Sequence, residues 1–246
     1  RILGIVSRPS RTAAQLDAEI AVAGEEGPGE VITLRLRGPM ASHTASVALP
    51  LLVPDAPVVV WWASDAPKSP STDPLGRLAR RRITDASLSG RSRSELQVHA
   101  DSYAAGDTDL AWTRATPWRA LLAAALDRPY ETVTGAEVTA AKNNPSAPLL
   151  AAWLHQCLGV PVTMRASRGP GLTAVHIHTS SGDISITRPD GIKAALEVPG
   201  YPPSEVSLRR RETKELLIEE LRRLDPDEVY ADALRLSPQF STDGAR

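Results

Sequence analysis

Cysteine, phenylalanine and methionine are the scarce residues of this 246-residue chain, which has one Cys, one Phe and two Met. A single thiol, Cys157, excludes an intramolecular disulfide and makes a reducing compartment the default. Aromatic residues are only 4% of the chain, so a core must come from Leu, Val, Ile and Ala, for which a 42% hydrophobic content is sufficient. An excess of one charge is also lacking. The net charge of −1 argues against a general nucleic-acid or membrane-surface role. No stretch is long and apolar enough to span a bilayer, and there is no signal-peptide pattern. The phosphate-binding loop, the dinucleotide glycine fingerprint and the Gly-x-Ser-x-Gly elbow are all missing, so no common catalytic signature is present.

Tryptophan is the exception among the aromatics, supplying five of the ten, and Trp is a common interface anchor. The stretch GDTDLAWTRATPWR at 106–119 organises the chain. Thr116 suits an N-cap and Pro117 the first helical position; Trp118, Leu121, Leu122 and Ala125 then share a face, and Asp127-Arg128-Pro129 ends the helix. Ahead of that cap, Asp107, Asp109 and Arg114 surround Trp112 in sequence. Carboxylates near an arginine and a tryptophan make either a buried, mutually satisfied network or a recognition surface. The plainer alternative is a junction in which Trp112 fills a gap and the charges pair with one another.

The patterning predicts an α/β N-terminal domain over 1–105, a mixed sheet with helices. An α+β domain over 106–240 follows, with an antiparallel β meander and C-terminal helices. The chain opens without methionine and already in a strand, so natural sequence is expected ahead of Arg1. Residues 2–6 read as a fully buried strand, 16–22 as a strand with one wet face, 24–29 as a turn and 31–36 as the hairpin partner. A helix is expected over 41–52, with Ser42 as a candidate cap and Pro50 disturbing its end. PVVVWW at 57–62 is the most hydrophobic run and predicts a central strand buried on both faces. Trp61 and Trp62 would then stand at a carboxyl strand end, where ligands gather in open α/β sheets; core and rim packing is the plainer role. Asp73 caps a short helix over 75–80, and another helix is expected over 94–103.

In the second half, 134–137 suggest a short helical piece. Ser146 caps a helix whose stripe is Leu150, Trp153, Leu154 and Cys157, with Gly159 as its left-handed end. Strands at 160–165, 173–179, 183–187, 193–198 and 206–208 are joined by short turns, hence antiparallel. A helix with Leu217, Leu221 and Leu224 in one stripe follows. Asp225-Pro226-Asp227-Glu228 fits the start of another, with Val229, Ala233 and Leu236 facing inward and a loose tail after Ser237.

Three clusters invite a chemical reading. Arg77, Arg80, Arg81, Arg82, Arg91 and Arg93 lie close together with Asp85 the only acid among them. Guanidinium suits carboxylate or phosphate, which makes them a patch for an anionic ligand or an acidic protein surface, or else a solvated face. His176 and His178 point to one side of a strand, where a metal would need a third ligand such as His155 or Asp183; a polar strand face is the plainer reading. Cys157, on an apolar stripe, fits a buried inert thiol better than a nucleophile.

Four segments resemble one family. They are LLVPDAPV at 51–58 leading into Trp61-Trp62, DPLG at 73–76 leading into RRITD at 81–85, the stretch 106–119, and EELRRLDPD at 219–227. In this order they resemble the glucose-6-phosphate dehydrogenase assembly proteins called OpcA, which normally carry further sequence before the strand at Ile2. The resemblance implies a non-catalytic cytoplasmic protein that binds glucose-6-phosphate dehydrogenase and supports its activity in the oxidative pentose phosphate pathway. No cofactor, no metal, and no nucleic-acid or membrane partner is expected, and the resemblance carries over no catalytic residue. Some relatives are linked to redox control; with Cys157 alone, a disulfide switch within this chain is excluded. On this reading Trp61, Trp62, Arg81, Arg82, Asp85, Asp109, Trp112, Arg114 and Arg119 face the partner or support the surface that does. The alternative is a sugar-phosphate or nucleotide sensor, or an enzyme, built on the arginine cluster near Arg81. Metal binding through His176 and His178 is a third.

Overall fold

The computed structural model describes residues 1–22, 29–89 and 92–240, with the side chains of Ser92 and Arg93 excepted. Most of the turn expected over 24–29, Arg91, and residues 241–246 of the expected tail lie outside the described residues. The chain forms two compact units, Arg1–Val60 with Ser71–Arg80, and Trp61–Pro70 with Arg81–Arg246. Mixed sheets with helices make the fold α/β overall.

The first unit is a three-stranded sheet of β1 (Ile2–Arg8), β2 (Gln15–Ala21) and β3 (Val31–Arg37) in the order β1-β3-β2. β2 pairs antiparallel with β3, as the hairpin pattern required, and β1 pairs parallel with it. Only the central strand alternates cleanly: Ile32, Leu34 and Leu36 turn to one face against Leu3, Ile5, Met40, Val47 and Leu51. β1 is half-buried rather than fully buried because it lies at an edge. The helix expected over 41–52 breaks into a 3-10 turn Gly38–Ser42, a short α1 (Thr44–Ala48) and a 3-10 turn Leu49–Leu51 containing Pro50. Ser42 caps nothing; its hydroxyl donates to the Pro39 carbonyl at 2.9 Å. Asp73 does cap, accepting from the Leu75 and Gly76 N–H groups, yet only a 3-10 turn Gly76–Leu78 follows. The strand expected over 57–62 shrinks to β4 (Val59–Trp61), and Trp61 is 38% exposed.

In the second unit, β5 (Arg81–Thr84), α2 (Ser92–Asp101) and β6 (Asp107–Asp109) precede α3 (Leu110–Leu126). β5 and β6 pair in parallel, setting Arg82 beside Asp107 and Thr84 beside Asp109. The large sheet takes β7 (Val133–Ala141), crosses through α4 (Ser146–Leu158), and continues with β8 (Val162–Ser167), β9 (Leu172–Thr179), β10 (Gly182–Thr187), β11 (Lys193–Glu197) and β12 (Ser204–Ser207). Its order is β12-β11-β10-β9-β7-β8; all pairs are antiparallel except β7 with β8, which the α4 crossover makes parallel. Trp118, Leu122 and Ala125 of α3 and Leu150, Ala151 and Leu154 of α4 cover one face, against Val138, Val175, Ile177, Ile184 and Ile186. The final helices are α5 (Thr213–Glu220) and α6 (Glu228–Leu236).

Five expectations need correcting here. Residues 134–137 are part of strand β7, whose Ala136, Val138 and Ala140 alternate into the core. α3 begins seven residues before Pro117, which sits inside it, with Asp109 rather than Thr116 as N-cap. Proline cannot donate to the Thr113 carbonyl one turn earlier, and Arg211 Nη2 donates to that oxygen instead. In α5 the buried positions are Leu216 and Glu220, while Leu221 is 52% exposed; in α6 the N-cap is Asp227 and Val229 faces out, Tyr230, Ala233 and Leu234 facing in. After Ser237 the chain makes a 3-10 turn, and Phe240 packs on the core.

Candidate functional site

The stretch singled out in the sequence lies where β5, β6, α3, α5 and α6 meet. All four residues of β5 are buried, arginines included, so each guanidinium requires an internal acceptor. Arg81 donates Nε and Nη2 to Glu220 Oε2 at 3.0 and 2.5 Å and Nη1 to the Asp225 carbonyl at 2.9 Å. The other Glu220 oxygen accepts the Thr113 hydroxyl at 2.6 Å. Arg82 Nε donates to Asp107 Oδ1 and Nη2 to the Ala105 carbonyl, while Asp107 Oδ2 accepts the Ala104 N–H at 2.8 Å.

Asp109 is wholly buried and accepts three hydrogen bonds: Ala111 N–H at 2.8 Å, which caps α3, Thr84 Oγ1 at 2.7 Å and Ala86 N–H at 3.0 Å. Burial nonetheless raises its pKa above the ordinary carboxylate value, against the lowering effect of the Thr84 and Ala111 bonds. Asp85 takes a bidentate pair from Arg114 at 2.7 and 2.7 Å and also the Ser87 N–H and hydroxyl. Trp112 donates its indole N–H to Asp227 Oδ2 at 2.9 Å, while Asp227 Oδ1 caps α6 through the Tyr230 N–H. The Arg119 guanidinium lies 3.6 Å over the Trp112 ring, and burial lowers its pKa.

Seven of the nine candidate residues therefore lie in one region of internally paired groups. Arg81, Arg82, Asp85, Asp109 and Trp112 are interior. Arg114 and Arg119 are half-buried, Trp62 is half-buried beside β5, donating its N–H to the Ile83 carbonyl, and Trp61 is exposed. The anionic-ligand patch expected at Arg81 and Arg82 is thus not open: both side chains are enclosed and held by internal carboxylates. Arg77 and Arg80 are exposed.

Elsewhere, His178 Nδ1 lies 3.0 Å from Asp183 Oδ1 and His176 Nδ1 lies 4.0 Å from Asp183 Oδ2. Among the described residues no group of three His, Cys, Asp or Glu is placed to hold a metal. Cys157 is exposed rather than buried, a correction to the stripe reading: it shares the face of Leu150 and Leu154 but lies in the last turn of α4, beyond the buried part of the helix. Its neighbours still desolvate the sulfur enough to raise its pKa, with Arg119 opposing, which keeps it a thiol.

Two family models match the chain in tandem, the glucose-6-phosphate dehydrogenase subunit N-terminal domain over residues 1–101 and its C-terminal domain over 105–234. The chain belongs to the OpcA family of glucose-6-phosphate dehydrogenase assembly proteins. No curated protein matches it. Among solved structures, a 3-ketoreductase from Actinomadura kijaniata with TDP-benzene and NADP is similar at 11% identity over 80% of each chain, with a TM-score of 0.48. An aldose-aldose oxidoreductase from Caulobacter crescentus is similar at 9% identity over 82% of this chain and 79% of that one, also with a TM-score of 0.48. In this OpcA-family chain, Glu220 and Thr113 lie in segments that carried a sequence signal without being candidates themselves, and Arg211 lies outside all of them. Glu220 is 107 positions from Thr113 and 139 from Arg81, beyond any local pattern. Asp227 was legible only as part of a helix start.

Proposed function

We propose that this chain is a non-catalytic partner that binds glucose-6-phosphate dehydrogenase and supports its assembly and activity in the oxidative pentose phosphate pathway of the cytoplasm. The observation carrying this reading is the tandem family match, which spans both halves of the chain under descriptions that name a subunit of that enzyme. The partner-facing residues in this proposal are the candidates that reach solvent: Trp61, Trp62, Arg114 and Arg119. Arg81, Arg82, Asp85, Asp109 and Trp112 act behind them by fixing β5 and the start of α3. A rigid polar network supports this role, since a preordered surface loses less conformational freedom on binding. Trp and Arg are also the side chains most often found carrying binding energy. Among the described residues, no helix is long and apolar enough to cross a membrane.

The test is light scattering coupled to size exclusion on the chain mixed with its cognate dehydrogenase at micromolar concentration. A co-eluting species with the summed mass is the expected result; two separate species with their own masses count against the proposal.

A further inference from the structure

A cleft in the second unit, with about 490 Å³ of empty space open to solvent, is walled by Arg114, Arg188, Arg209, Arg210, Arg211 and Asn144 among others. Three of these arginines are neutralised within the chain: Arg114 by Asp85, Arg209 by Glu215 and Arg211 by Glu219. Arg188 and Arg210 have no carboxylate in ion-pair range among the described residues.

Arg188 is the unusual one. It is only 5% exposed, and its guanidinium donates to the Leu208 carbonyl at 2.6 Å and the Leu172 carbonyl at 2.8 Å. It also lies 5.0 Å from the Trp118 ring, and its Nε has no partner. Carbonyl oxygens and a ring face carry no net charge, so a formal cation is enclosed with no carboxylate in direct contact among the described residues, Asp190 acting on it only from a distance. Burial, and after it the positive charge of Arg210, bring its pKa down to about 10.

Gly171 shows how close the donors lie to one another. It has φ +72°, and a Cβ there would come within 3.7 Å of Arg210 Nε, 3.7 Å of Asn144 Nδ2 and 3.9 Å of Arg188 Nη2. Asn144 is oriented by the Ser146 N–H, which donates to its Oδ1 at 2.9 Å and leaves Nδ2 for the cleft. Three N–H-bearing nitrogens thus lie close together beside Gly171 in the cleft wall, and the two guanidiniums among them have no carboxylate in ion-pair range among the described residues.

We propose that this cleft binds a phosphoryl dianion, free or as a phosphate monoester, between Arg188, Arg210 and Asn144. Three N–H donors lying close together select an anion, two cations without a directly paired carboxylate match a charge of about −2, and planar guanidiniums match phosphate oxygens. The proposal does not rest on the partner reading, and its test contains no dehydrogenase.

The full chain is titrated with inorganic phosphate, glycerol phosphate, acetate and chloride at matched ionic strength, by calorimetry and thermal unfolding. Saturable heat and a raised Tm are expected with phosphate, the monoester or both, and with neither acetate nor chloride. Phosphate alone would assign the free ion, and the monoester alone a phosphorylated metabolite. Arg210→Glu, at an exposed side chain, should weaken binding at least about tenfold, and Arg210→Gln by about ten- to a hundredfold, with the ligand-free Tm unchanged. The proposal is overturned if neither phosphate probe gives a saturable response, or if the response survives undiminished in both Arg210 variants.

Discussion

The pair formed by Arg81 and Glu220 makes the most demanding prediction about how this chain is held together. Their side chains are 5% and 7% exposed, so neither solvent nor salt screens them. Removing one partner leaves the other charged and enclosed, which typically costs about 3–5 kcal/mol. Glu220→Leu also strands the Thr113 hydroxyl, and Arg81→Met also removes the bond to the Asp225 carbonyl. At about 2–4 °C per kcal/mol for a chain of this size, each single substitution should lower Tm by roughly 6–20 °C. The double variant Arg81→Met with Glu220→Leu removes both charges and substitutes apolar bulk, so it should be more stable than either single variant. Thermal and urea unfolding of the four proteins completes the cycle, with an expected coupling of about 2 kcal/mol or more. Single substitutions costing less than about 1 kcal/mol and adding independently, as exposed pairs do, would refute the reasoning.

Asp109→Asn leaves one N–H or O–H donor of the Thr84, Ala86 and Ala111 set without its acceptor, a loss of about 1–3 kcal/mol at neutral pH by urea unfolding. Because burial raises the folded pKa of Asp109 above 3.8, the folded state takes up its proton first as pH falls. Wild-type stability should therefore rise relative to Asp109→Asn through that window and level off below about 3.8; the opposite slope contradicts the assignment. Arg211→Ala should cost about 1–3 kcal/mol by orphaning the Thr113 carbonyl. It should cost less in a Pro117→Ala background, where the restored N–H supplies the missing donor; equal losses in both backgrounds would count against this role. Trp61→Ala should leave Tm within about 1 °C of wild type while weakening dehydrogenase binding by about 2 kcal/mol, or roughly thirtyfold, measured by titration.

Strands with a dry face and a wet face were legible from residue type. The hairpin of β2 with β3 and the meander from β9 to β12 follow from alternation and short turns. Gly159 closes α4 at φ +67°, as its position after the apolar stripe implied. The start of α3 was misplaced because two local signals competed. Thr116-Pro117 is a good helix start, but Asp109 caps seven positions earlier and the resulting longer helix buries Leu110, Ala111 and Trp112 as well. Arg211, 98 positions from Thr113, supplies the donor that the interior proline cannot, and no window of sequence contains both. The helical reading of 134–137 failed for a related reason: β7 is alanine-rich, and its strand state is set by pairing with β8 and β9 rather than by propensity. The Asp, Arg and Trp of 106–119 were recognisable as a group from sequence, whereas Glu220 on α5, which accepts from Arg81 and Thr113, and the cation at Arg188 became visible only once the sheet had placed them.

The central claim is that this chain acts on glucose-6-phosphate dehydrogenase, and titrating it into a fixed concentration of the cognate enzyme while following NADP reduction tests that most directly. The specific activity should rise saturably to a plateau at a fixed molar ratio, and Trp61→Ala should need a higher concentration to reach it. A flat response across a micromolar range, with both proteins folded, would contradict it.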